Sequence, residues 1–193
     1  MSEQPENFGM PGDGLNIERY GSHIYFSNGI DPDTAFKLKR MLKEIETEKL
    51  FHQAQNDTEP TPIKLHISSP GGNVFESFAL FDIIIKMRVP VYIYVEGAAM
   101  SGATFLVLAG DKRFITRNSF MLIHQVTHYL PPSETHAEIE DLKQNSDVIM
   151  RSMKYIYKTK TSMNMKEIND ILKKDLYLSS EDCLKLGFVD EII

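Results

Sequence analysis

Val89-Pro90-Val91-Tyr92-Ile93-Tyr94-Val95-Glu96-Gly97-Ala98-Ala99-Met100-Ser101-Gly102-Ala103-Thr104-Phe105-Leu106-Val107-Leu108-Ala109-Gly110 holds two apolar runs around a stretch of small residues. The first run, Val89 to Val95, is short, β-branched and aromatic, which predicts a buried strand. The second, Thr104 to Ala109, predicts a buried helix that Gly110 closes. Between them Ser101 sits at a strand-to-helix turn, among residues with little or no side chain. A substrate has room to approach it there. Its hydroxyl lies at the positive end of a helix, where developing negative charge is favoured. Serine nucleophiles are often presented at such a turn.

Working outward, the same strand-turn-helix unit occurs once more upstream. Ile63, Leu65 and Ile67 alternate with Lys64 and His66, a strand pattern that Ser68-Ser69-Pro70-Gly71-Gly72 breaks. Val74 to Met87 is apolar on most sides and predicts a buried helix. Further upstream, residues 1–16 are polar and rich in Gly and Pro, a flexible N-terminal arm. His23 to Ser27 predicts a short strand. Asp31-Pro32 opens a helix, with Asp as cap and Pro in the first turn; Leu38, Met41, Leu42 and Ile45 form its buried stripe. Phe51 to Pro62 predicts a polar loop. Downstream, Arg113–Thr116 and Phe120–Ile123 predict two short strands. Thr135-His136-Ala137-Glu138 has capping-box spacing. Ile139, Leu142, Ile149, Met153 and Ile156 then recur at helical spacing, so a long helix runs over about 134–158. A narrow stripe on a long helix suits packing against a partner or lying across its own domain. A short helix over Lys166–Leu172, a strand over Leu176–Leu178, a helix capped by Ser179 and ended by Gly187, and a strand over Phe188–Ile192 complete the chain. The order is that of an α/β protein with one domain over 17–193.

At 193 residues, 42% hydrophobic and 25% charged, the chain can bury one ordinary core. Its net charge of -6, with no Lys/Arg block, gives no support to a nucleic-acid or anionic-membrane partner. No apolar stretch reaches the length of a membrane span. The N-terminus lacks the apolar core of a signal peptide, so a cytoplasmic location is expected. Cys183 is the single cysteine, which excludes an internal disulfide framework and a multi-cysteine metal site. No metal is expected.

A serine hydroxyl needs a base within hydrogen-bond reach, and the base needs an orienting acid. His124 ends the apolar run Phe120-Met121-Leu122-Ile123, so a strand would carry it rigidly to the edge of a sheet. His128 is close by in a loop. His66, beside Ser68 and Ser69, is a credible decoy; His23, His52 and His136 read as surface residues. For the acid, Asp175 precedes the strand Leu176-Tyr177-Leu178 and Asp190 lies near the C-terminus, and local sequence does not choose between them. Acyl transfer also needs backbone N–H donors for an oxyanion. The Gly102 amide and the turn Pro70-Gly71-Gly72 offer them, since glycine lets backbone approach a substrate closely.

Four segments fall in a recognisable order: Ile67-Ser68-Ser69-Pro70-Gly71-Gly72, Gly97-Ala98-Ala99-Met100-Ser101, Met121-Leu122-Ile123-His124-Gln125 and Lys174-Asp175-Leu176-Tyr177-Leu178-Ser179. Together with Leu186-Gly187-Phe188-Val189-Asp190-Glu191-Ile192 they resemble the proteolytic subunit of the ATP-dependent Clp protease family, over residues 18 to 193. The resemblance implies a crotonase-like ββα spiral with a protruding handle helix, and a serine endopeptidase. It assigns Ser101 as nucleophile, His124 as base and Asp175 as acid. It assigns the Gly71 and Gly102 amides to the oxyanion hole, and Gly72, Asn73, Val74, Gln125 and Val126 to contacts with a peptide bound as an added strand. It implies self-assembly into a heptameric ring or double-ring tetradecamer, a Clp ATPase as partner, and no cofactor in this subunit, ATP being used by the partner unfoldase. Where the family usually has Ser-Met-Gly, this chain has Ser101-Gly102-Ala103. Where it has proline and glycines after His-Gln, this chain has Val126-Thr127-His128. Such departures read as a divergent copy, phage-borne or paralogous. Two alternatives stand beside the peptidase: a catalytically impaired ring subunit that assembles with an active copy, and a crotonase-type acyl-CoA enzyme. A thiol nucleophile at Cys183 is more distant, because a helix beside Leu184 and Leu186 suits a buried structural cysteine.

Overall fold

A computed structural model describes residues 16–57, 59–127 and 135–193. The arm expected over 1–16 lies outside these apart from Asn16, and so does His128. The chain runs β1 (Ile17–Tyr20), β2 (His23–Phe26), α1 (Pro32–Asn56), β3 (Ile63–Ser69), α2 (Val74–Ile85), β4 (Val91–Met100), α3 (Ala103–Ala109), β5 (Lys112–Ile115), β6 (Phe120–Leu122), α4 (His136–Lys160), α5 (Met165–Ile171), β7 (Tyr177–Leu178), α6 (Ser180–Lys185) and β8 (Glu191–Ile192).

The main sheet has the order β1-β2-β3-β4-β5-β8; β6 branches from β4 and in turn pairs with β7. Strands β2, β3, β4, β5 and β8 run parallel to one another, while β1 joins β2 as an antiparallel edge. Parallel neighbours need crossovers, and α1, α2 and α3 supply them in the successive strand-helix units. The inward residues Ile63, Leu65, Ile67, Val91, Ile93 and Val95 are fully buried and belong to one apolar cluster with Leu38, Leu42, Ile45, Leu80, Leu106 and Leu108. This is the expected α/β arrangement.

Several boundaries differ from expectation, each for a physical reason. Helix α1 continues through Phe51–Asn56 and ends where Asp57 turns left-handed (φ 51) with its N–H on the Gln53 carbonyl. Polar composition there signals exposure, and an exposed helical turn is as polar as a loop. Strand β3 extends to Ser69 and β4 to Met100. Both continue because they pair past a register shift, from Ile67 opposite Val95 to Ser69 opposite Ala99, that absorbs the extra residues around Gly97. Strand β1, which no sequence pattern announced, is stabilised by its ladder to β2.

The outward face of the sheet carries a stack of rings. His66 lies 4.4 Å from Tyr25 and 4.9 Å from Tyr94 between ring centroids, and Tyr94 continues to Phe114 at 4.8 Å. His66 Nδ1 meets Glu96 Oε1 at 2.8 Å, and its Nε2 meets His23 Nδ1 at 2.9 Å. His23 is therefore part of this half-buried stack, more enclosed than a surface residue. Desolvation, helped by the neighbouring His66, holds its pKa below the ordinary value.

Helix α4 begins with the capping box that Thr135 and Glu138 form. At 1.5 Å per residue its 25 residues span roughly 37 Å. Only Met153, Ile156 and Tyr157, in its second half, are buried; Ile139 and Val148 are about half exposed. The first half projects from the body.

Candidate active site

Strand β4 ends at Met100 and α3 begins at Ala103, leaving two residues to reverse the chain. Ser101 turns it with φ 51, in the left-handed region that costs a residue with a side chain roughly 1–2 kcal/mol. Strain of this kind persists only where the surroundings over-determine it. Here the Ser101 N–H donates to the Leu122 carbonyl at 2.8 Å, and the Ser101 carbonyl accepts from both the amide and the hydroxyl of Thr104. Strand β6 runs parallel to β4 with Leu122 opposite Met100. Its continuation therefore leaves the sheet edge beside Ser101, and two residues later comes His124.

The turn before α2 closes on the same place. Gly71 has φ +85, and a Cβ there would stand 2.4 Å from the Met100 carbonyl oxygen and 2.8 Å from the Gly102 nitrogen. Gly72 has φ +150, and a Cβ there would stand 2.2 Å from the Ile30 carbonyl oxygen. Both positions accept only glycine. Ile30 fixes the turn: its N–H donates to the Gly71 carbonyl and its carbonyl accepts from the Asn73 N–H, each at 2.7 Å. The Asn73 side chain then caps α2 by accepting from the Phe75 and Glu76 amides.

These elements enclose a cavity of about 280 Å3. Of the residues singled out in the sequence, Ser101, His124, Gly102, Gly72, Asn73, Val74, Gln125 and Val126 line it. Gly71 is buried behind the turn, and its amide donates to Ser69 Oγ at 3.2 Å. Gly72 is exposed, and among the described residues neither its amide nor that of Gly102 has a hydrogen-bond partner. Asp175 does not line the cavity; it is exposed, within the exposed run 173–177. No hydrogen bond or ion pair joins Ser101 to His124, or His124 to Asp175, among the described residues. The Gln125 N–H donates to the Leu172 carbonyl at 3.1 Å, so the base-bearing segment is tied to α5 three residues before Asp175.

The other candidates have separate employment. Asp190 receives the Arg113 guanidinium, at 2.5 Å on Oδ1 and 3.2 Å on Oδ2, and the Arg113 amide at 2.8 Å. His66 faces the outer stack, while His52 and His136 are exposed. Cys183 is fully buried with its thiol directed to the Leu178 carbonyl; burial pushes its pKa up to about 12. A thiol so placed is inert. Among the described residues no group of three His, Cys, Asp or Glu side chains is arranged to hold a metal ion. No helix of the described residues is long and apolar enough to cross a membrane.

Sequence reasoning missed the cavity's far wall. Phe75, Phe105, Thr127, Ile149 and Met153 also line it. Ile149 and Met153 were visible as part of a helical stripe, but a stripe does not reveal which residues face a cleft and which face the core. The Val126 amide meets the Met150 thioether at 3.5 Å, a further contact between the cleft and α4.

The family model of Clp protease matches residues 35–193. A curated relative, the ATP-dependent Clp protease proteolytic subunit of Deinococcus radiodurans, is 27% identical over 159 residues, covering 80% of this chain and 74% of the relative. Among solved structures, a mutant form of ClpP1 from Listeria monocytogenes superposes with a TM-score of 0.76 at 22% identity, covering 90% of this chain and 91% of that one. The fold is thus the α/β fold of ClpP and crotonase-like proteins.

Proposed function

Because the chain belongs to the Clp protease family, we propose that it is the proteolytic subunit of a Clp-type compartmentalised protease, a serine endopeptidase acting on peptides and unfolded protein. One observation carries this reading: a strained Ser101, His124, Gly72 and Gly102 line one cavity, and the amides of the two glycines have no hydrogen-bond partner among the described residues. Ser101 Oγ attacks the scissile carbonyl carbon while His124 takes its proton. The carbonyl oxygen, now negative, is held by the amides of Gly102 and Gly72. The role goes to Gly72 in preference to Gly71, whose amide is already engaged with Ser69. The C–N bond then breaks as His124 returns its proton to the leaving amine. A water molecule, deprotonated by His124, hydrolyses the acyl-enzyme and frees Ser101. Asp175 takes the role of orienting acid from the family resemblance, and that role requires its carboxylate, exposed in the run 173–177, to reach the His124 imidazole.

The cleft accepts an extended peptide along Gly72–Val74 and Gln125–Val126, with Phe105, Ile149 and Met153 as an apolar wall. The projecting half of α4 suits meshing between two seven-membered rings, and an ATP-using unfoldase of the Clp type would feed the chamber. The subunit itself uses no metal or organic cofactor, and the location is cytoplasmic. The acyl-CoA alternative has no use for a serine-histidine pair. The impaired-subunit alternative is favoured by one observation: among the described residues no hydrogen bond or ion pair joins His124 to Asp175.

An activity-based fluorophosphonate tests the reading. It should label wild type at Ser101, and Ser101→Ala should lose both label and peptide hydrolysis. Wild-type protein that neither labels nor cleaves, yet co-purifies with an active copy, would favour the impaired subunit; full cleavage by Ser101→Ala would end the serine mechanism.

A further inference from the structure

The peptide unit between Ser101 and Gly102 has two ends with different duties. Its N–H is an oxyanion donor on the reading above, on which this inference rests. Its carbonyl is that of the strained nucleophile. In a trans peptide the two point in opposite directions within one plane, so whatever fixes the carbonyl also aims the amide.

That carbonyl is held by Thr104, through its amide at 3.0 Å and its Oγ1 at 2.6 Å. A threonine hydroxyl has one proton, and this bond uses it. The Tyr157 hydroxyl, 2.9 Å from Thr104 Oγ1, must then be the donor in that pair. Tyr157 belongs to α4 and is 1% exposed, with its ring set between Phe105 at 5.4 Å and Phe188 at 6.0 Å. Thr104 is fully buried and is the one hydroxyl-bearing residue in the helix Ala103–Ala109. Neither lines the cavity. A buried hydroxyl pair costs stability unless satisfied; this one is satisfied in a single direction, from α4 through α3 to the nucleophile's carbonyl.

We propose that Thr104 and Tyr157 are positioning residues: a hydrogen-bond chain from α4 that holds the Ser101–Gly102 peptide plane and thereby directs the Gly102 amide at the oxyanion. The chain also makes α4, the element suited to assembly, a physical support of the catalytic geometry.

The test compares wild type with Thr104→Val, Thr104→Ser, Tyr157→Phe and the Tyr157→Phe/Thr104→Val double variant, each as full-length protein. With a fluorogenic peptide, Thr104→Val should lower kcat about tenfold, less than the 10²–10³ that follows outright loss of an oxyanion donor, with KM within about twofold. Thr104→Ser, which keeps the hydroxyl, should restore kcat. Tyr157→Phe should lose less, and the double variant should be no worse than Thr104→Val, because two links of one chain are not additive. In crystals of Thr104→Val the Ser101–Gly102 peptide should be rotated from its wild-type plane. Should Thr104→Val fold poorly because it strands the Tyr157 hydroxyl, the double variant, which leaves no orphan, carries the same comparison. Unchanged kcat in folded Thr104→Val, or failure of Thr104→Ser to restore it, would overturn the proposal. If wild type has no Ser101-dependent hydrolysis, the peptidase reading fails instead. The crystal then decides positioning alone: a rotated peptide upholds it and an unrotated one overturns it.

Discussion

Glu46 is 7% exposed on α1 and nonetheless carries a carboxylate. Burial alone would raise its pKa; the Lys43 ammonium at 2.7 Å and the Arg88 amide at 2.6 Å more than offset this and hold it below the ordinary carboxylate value. It joins α1 to the loop between α2 and β4. A carboxyl depressed in the folded state stabilises fully above its unfolded value and loses that contribution as pH falls through the folded one. Glu46→Ala should therefore cost about 1–3 kcal/mol at neutral pH, by leaving the Arg88 N–H unpaired. The gap to wild type, read by denaturant titration, should narrow in acid below the carboxylate range. A gap independent of pH would mean that packing, not charge, is the source. At this scale the sequence marked Ser101 and His124 because their neighbours are distinctive. Glu46 and Tyr157 were not distinctive, because their partners lie 42 and 53 residues away.

At the scale of elements, α4 was legible as a helix and ambiguous in use. Its cap and stripe follow from local rules, but the stripe alone permits either packing on the body or on a partner. The structure divides the two: Met153, Ile156 and Tyr157 pack inward, while Ile139 and Val148 stay half exposed on the projecting half. Ile139→Glu with Val148→Glu should therefore leave the helical signal and Tm of the subunit within a few degrees of wild type. If the proposed double ring forms, its native mass should shift toward single rings or monomers. An unchanged native mass would remove those residues from the assembly surface. Helix α1 teaches the complementary lesson. Its last turn is polar and solvated, so hydropathy assigns it to a loop, and only the hydrogen bonds show it to be helical.

For the whole molecule, the cavity's size bears on substrate. At about 280 Å3 it has room for a few side chains of an extended peptide; exclusion of folded protein belongs to the proposed closed chamber. Short peptides should be cleaved without any partner or nucleotide, whereas a stable folded protein should remain intact until an unfoldase and ATP are supplied. Gel analysis of both substrates checks this; cleavage of the folded protein by the subunit alone would contradict a closed chamber.

The sequence by itself determined the α/β class, the two successive strand-turn-helix units, the cap of α4 and the serine turn. All of these rest on short-range physics: hydrophobic period, capping side chains and glycine at φ values other residues avoid. It also indicated Gly71-Gly72 as a close-approach turn. Only the tertiary structure decided that Gly72 reaches the cavity while Gly71 is turned onto Ser69, that α4 supplies one wall of the cleft, and that Thr104 and Tyr157 meet behind the nucleophile. It also leaves Asp175 exposed, outside the cavity lining and, among the described residues, without a hydrogen bond or ion pair to His124. These outcomes depend on how crossovers stack and where parallel strands end. Such distances are set by packing across the whole core and are written in no single stretch of chain.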